Sequence, residues 1–185
     1  LNASNLSSIA QMRVDGGTGR DAVQLSGSGL NLNLTTLNNQ VFKGIEAFDI
    51  TGSGNNALAL NLNDLYQMAG EGAHGAWQSS KWGGAVTGST SLINVNYQQI
   101  RIDGDSGDFL NLLSPGLQLQ SGTVTFGGNT YNIYNNASKN IQLIVDSDVS
   151  VLVGQPEILL STVNGTYGYA INGQSAGDQS GFKVD

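Results

Sequence analysis

Short runs in which apolar and polar side chains alternate, each broken by Gly, Asn, Ser or Asp, recur along most of the chain. "AVQLSG", "LNLNLTT", "ALALNLNDL", "QIRID", "FLNLL", "GLQLQSGTVTF", "YNIYNN", "NIQLIVD" and "VSVLVG" all read this way. Period-two alternation puts successive side chains on opposite faces of a strand, so each run has one face to bury. Only "NDLYQMAG" (63–70) and, more weakly, "NASNLSSIAQM" near the start carry helical spacing. The expected class is all-β: a sandwich-like module of many short strands, one or two short helices and a long irregular loop.

Composition agrees. Glycine contributes 26 of 185 residues and proline two, and of the 14 acidic residues most are Asp. Gly and Asn supply the backbone angles of tight turns, and Asp suits turns and calcium better than helices. With seven Lys and Arg against 14 acidic residues, no basic stripe exists to neutralise phosphates, which argues against nucleic acid. There is no cysteine, so neither disulfides nor thiolate metal sites can staple the loops. No apolar run approaches the roughly 18 residues needed to span a bilayer. The chain starts without a signal-peptide pattern and breaks off mid-pattern at both ends, which reads as a module of a longer protein.

"GGTGRDAVQ" (16–24) fits the nine-residue calcium repeat G-G-x-G-x-D-x-U-x. Calcium takes six to eight hard oxygens, and a glycine-rich turn can aim successive carbonyls at one point. "RVDGGTGRDAVQLSGSGLNL" (13–32) also aligns with "RIDGDSGDFLNLLSPGLQL" (101–119), matching Asp15 to Asp103 and Asp21 to Asp108. A third fragment, "INGQSAGD" (171–178), keeps the spacing and ends on Asp178. The copies are not in tandem, so the expectation is separate sites completed by other loops rather than a calcium β-roll. Candidate ligands are Asp15, Gly17, Asp21, Asp49, Asp103, Asp105, Asp108, Asp146, Asp148 and Asp178, with Glu46, Asn55, Asn56 and Asp64 as further contributors; several Ca2+ ions are expected. The bland alternative is a set of Asx-capped turns that hold no metal.

Residues 66–90 break the strand rhythm and hold both tryptophans, Trp77 and Trp82, the single histidine, His74, and Tyr66. A long irregular insertion in a regular β protein suits a binding loop, or an aromatic plug at one end of the core. Candidate ligand-binding residues are Tyr66, His74, Trp77, Trp82, Asp103 and Asp105. An enzyme is not expected, because one histidine and the absence of H-E-x-x-H, G-x-S-x-G or Walker patterns leave little catalytic machinery.

As a string of motifs, residues 13–153 outside the insertion resemble the recurring module of giant bacterial RTX adhesins: "VDGGTGRD", "GIEAFDITG", "NNALAL", "RIDGDSGDFLNLL" and "GNTYNIYNNASKNIQLIVDSDVSVLV" carry the likeness. "LSTVNGTYGYAINGQSAGDQSGFKVD" (160–185) is similar to the opening of an FG-GAP repeat. The resemblance implies type I secretion without a cleaved leader, an extracellular or bacterial cell-surface location, and order triggered by calcium outside the cell. It also implies a ligand-binding domain of the kind that captures peptide C-termini on host or partner cells. The expected organisation is a calcium-binding β module over 1–160 with the aromatic loop inserted at 66–90, and residues 161–185 packed on it as a terminal strand segment. A monomeric module without membrane insertion is the expected state. A carbohydrate-binding module would use the same aromatic residues and calcium, and a structural spacer would use the calcium alone; both stay open at this stage.

Overall fold

The structure, a computed structural model, describes residues 1–68, 74–77 and 84–154. Among them are two short helices, α1 (Ala3–Ser7) and α2 (Leu62–Met68), and thirteen strands. These are β1 (Val14–Asp15), β2 (Ala22–Gln24), β3 (Asn31–Asn33), β4 (Phe42–Lys43), β5 (Ala47–Asp49), β6 (Ala57–Leu60), β7 (Thr87–Gly88), β8 (Gln98–Asp103), β9 (Phe109–Leu112), β10 (Gln118–Phe126), β11 (Asn129–Asn136), β12 (Ile141–Asp146) and β13 (Ser150–Val153). The β-rich class and the two helical segments match the reading of the sequence.

The strands coil. One sheet runs β2-β5-β8-β12-β11-β10-β7 and a second runs β13-β9-β6-β3. Within the first, β2, β5, β8 and β12 are all parallel; within the second, every pair is parallel. Successive passages of the chain (β2–β3, β5–β6, β8–β9, β12–β13) therefore stack as four rungs, and the first two add a third side through the parallel pair β1 and β4. The chain therefore coils in parallel rungs although its acidic motifs are not in tandem. Non-tandem copies exclude a regular nine-residue repeat, but rungs of unequal length stack as well.

Register explains the alternation. Val23, Phe48, Ile102 and Val145 stand opposite one another across the first sheet, and Leu32, Leu58, Leu110 and Val151 across the second. These side chains meet in one apolar cluster with Leu25, Ile50, Leu60, Leu112 and Leu143, while Val151 packs at its edge. Each fully buried Leu, Ile or Phe contributes about 1.5–3 kcal/mol. α1 and the turn after it bring Leu6 and Ile9 onto the same cluster. α2 adds Leu65 and Met68.

The outer face of the first sheet is covered too. Ala47, Ala76, Trp77, Ile93, Val124, Tyr131, Ile133 and Ile144 form a second apolar cluster there. β12 is consequently buried on both faces along all of "IQLIVD", which is why its sequence reads as a nearly continuous apolar run. Two buried amides cross this layer. Gln99 Nε2 donates to Gln142 Oε1 at 2.9 Å and to the Asn94 carbonyl, and Gln142 Nε2 donates to the Leu92 carbonyl and to Asn135 Oδ1.

Candidate functional site

The two look-alike acidic motifs lie at different corners of the coil. Residues 15–21 form the bend between β1 and β2, whose stacked neighbour is the shorter bend Lys43–Glu46 between β4 and β5. Residues 103–108 form the bend between β8 and β9, stacked on 49–56 below and 146–149 above. Asp103 thus stands opposite Asp49, not in the place that Asp15 occupies on its own rung. The internal repeat read from sequence is a likeness of turn chemistry rather than of structural position.

At the second corner the polar groups already have partners. Asp103 takes an ion pair from Arg101 at 2.7 Å through Oδ2 and the Tyr131 hydroxyl at 2.9 Å through Oδ1. Burial, followed by the charge of Asp103, holds the Tyr131 hydroxyl well above its usual pKa. Asp108 is buried, and its carboxylate accepts the backbone N–H groups of Asn56 and Asp105 at 2.8 and 2.7 Å. Asn56 repeats the device one rung below: its Oδ1 accepts the Leu30 N–H, while its Nδ2 donates to the carbonyls of Gly27, Ile50 and Gly54. Asp49 and Asp146 cap their own turns by accepting the N–H groups of Thr51 and Asp148. Burial raises the Asp146 carboxyl, with Asp148, Asp103 and Asp105 adding repulsion. Asp105 and Asp148 themselves are exposed.

The first corner differs. Asp21 Oδ2 is buried and has no hydrogen-bond partner among the described residues. Glu46, missed as a principal ligand in the sequence reading, faces it from the neighbouring rung; it is 2% exposed, and its Oε2 accepts the Asp21 N–H at 2.9 Å. Burial raises the Glu46 carboxyl, and the charge of Asp21 adds to the rise. The bends touch so closely that a Cβ on Gly16 would lie 2.1 Å from the Gly44 carbonyl oxygen. Gly17, whose N–H donates to Asp15 Oδ1, has φ +80°. A buried carboxylate oxygen with no partner among the described residues, beside the buried Glu46 carboxylate and a bend where Gly16 and Gly44 leave no space for a Cβ, fits a hard cation. The Asp103–Asp108 corner, its inner oxygens engaged by Arg101, Tyr131 and backbone N–H groups, fits one less well. Among the described residues, no three acidic or histidine side chains converge as a ready-made metal group. At the first corner, protein carbonyls and water would have to complete the shell.

The aromatic candidates separate. Trp77 is buried: its indole N–H donates to the Glu46 carbonyl at 2.8 Å, and its backbone N–H donates to Gln99 Oε1 at 2.7 Å. The guanidinium of Arg101 lies 4.0 Å from the Trp77 ring centroid and that of Arg20 5.1 Å. Tyr66 is 55% exposed on α2, whose buried residues join the first cluster, whereas Trp77 belongs to the second. His74 is exposed and bridges to β8 at Gln98. Of the expected ligand-binding set, Trp77 is thus buried in the second cluster, in keeping with the aromatic-plug alternative, while Tyr66 and His74 are exposed. Trp82, Asp178 and the whole 161–185 segment lie outside the described residues.

No family model matches the chain, and no curated protein or solved structure is significantly similar to it. No helix among the described residues is long and apolar enough to cross a membrane.

Proposed function

We propose that the chain is a calcium-dependent, non-catalytic adhesion module of a large secreted bacterial protein of the RTX-adhesin type. It works outside the cell and binds peptide C-termini on a partner cell surface. The observation that carries the calcium part is the orphaned, buried Asp21 Oδ2 facing Glu46 across two stacked rungs. Asp21 and Glu46 would hold the ion, which supplies the charge neutralisation that the buried Glu46 carboxylate and the adjacent half-buried Asp21 need. Ions at the exposed rim of the other corner, near Asp105 and Asp148, would add to the stapling of this cysteine-free chain. An ion with an open coordination position gives a free peptide carboxylate its anchor.

A second reading, the structural spacer, draws support from the burial of Trp77, which leaves that ring no face for a ligand. Calorimetric titration of the calcium-loaded protein with free-acid peptides, their amidated forms and monosaccharides separates the readings. The proposal expects binding of free-acid peptides and rejection of amides. Binding of sugars alone would replace it with a carbohydrate-binding module, and binding of none would leave the spacer.

A further inference from the structure

Among the described residues of the insertion, Trp77 touches both acidic corners. The backbone carbonyl of Glu46 accepts the Trp77 indole N–H and the Arg101 N–H, while the Glu46 side chain accepts the Asp21 N–H. Arg20, next to Asp21 in the glycine-rich bend, places its guanidinium near the Trp77 ring. Arg101 places its own over the same ring and pairs with Asp103 at the other corner. The Trp77 backbone N–H runs on into the buried amides Gln99 and Gln142. One indole is thus tied to the first bend through Glu46 and Arg20, and to the second through Arg101.

We infer that Trp77 is a positioning residue for the cation site of the first bend, and that ion binding there and docking of segment His74–Trp77 stabilise each other. This rests on the calcium reading above. With the ion bound, Asp21 and Glu46 hold the bend in one conformation and Arg20 stays beside the ring. Without it, the adjacent carboxylates repel, the bend loosens and Trp77 loses part of its cover. Coupling free energy is reciprocal, so removing the Trp77 contact must weaken ion binding although Trp77 supplies no ligand.

The test is calorimetric calcium titration of the full chain and its variants, with far-UV circular dichroism confirming the calcium-loaded fold. Trp77→Phe keeps an apolar ring but loses the indole donor, and is expected to weaken calcium binding at one site by at least about fivefold. Arg20→Ala, at an exposed position, is expected to weaken the same site, with Arg20→Lys restoring part of the loss. Should Trp77→Phe fail to fold, the Arg20 pair decides alone. Folded variants that bind calcium as tightly as the parent would overturn the coupling and leave the calcium reading standing. A parent chain that binds no calcium would overturn both.

Discussion

The carboxylate of Asp108 accepts the backbone N–H of Asn56, a residue one rung below it, at 2.8 Å. Asn56 in turn accepts the N–H of Leu30 one rung further down. Polar side chains thus act as substitute backbone at the corner where the chain leaves one sheet for the other.

Asp108→Ala strands the buried N–H of Asn56 and the part-buried N–H of Asp105, and is expected to cost about 2–4 kcal/mol in urea unfolding. Because that carboxylate serves the backbone, the loss should be nearly the same with calcium and with chelator. Asn56→Ala should cost a similar amount, and the double variant less than the sum, since both act on one ladder.

The buried amides give a second expectation. Gln142 takes donors from Gln99 and Asn94 on Oε1 and gives both Nε2 hydrogens away. Gln142→Leu matches its size yet orphans those partners, and should cost about 2–4 kcal/mol. Hydrogen exchange at the Asn94 amide should speed up; a change confined to distant residues would contradict the network.

Much of this fold was legible in the alternating runs, and the helical spacing at 63–70 and near the start also placed real elements. What alternation does not encode is the partner of each strand. β2 and β5 are three residues long, and their parallel stacking depends on Val23, Phe48 and Ile102 meeting across long stretches of sequence. The D-G-x-G-x-D likeness misled because the same chemistry suits two corners. Glu46 was hard to single out because its bend, "KGIE", is too short to show a motif. Trp77 carried no sign of burial, since an aromatic in a glycine-rich loop serves equally as ligand platform or plug.

Acidity separates the metal-free fold from the loaded one. Burial raises the carboxyls of Glu46, Asp64 and Asp146 in the folded chain. A raised folded value contributes stability below the unfolded pKa, and that contribution is lost as pH rises through the folded value. In chelator, the midpoint of thermal unfolding should therefore climb as pH falls from neutral toward the ordinary carboxylate range of about 4. Calcium should flatten this dependence at neutral pH. A metal-free midpoint that falls steadily over the same range would contradict the assignment.

The most direct test of the central claim is calcium titration by calorimetry of the parent, Asp21→Asn and Asp108→Asn side by side, with each sample's unfolding midpoint measured with and without calcium. The account expects Asp21→Asn to lose the tightest site and most of the calcium-induced rise in midpoint, while Asp108→Asn keeps both on a lower baseline. Equal retention of calcium binding in Asp21→Asn, or a parent whose midpoint ignores calcium, would contradict it.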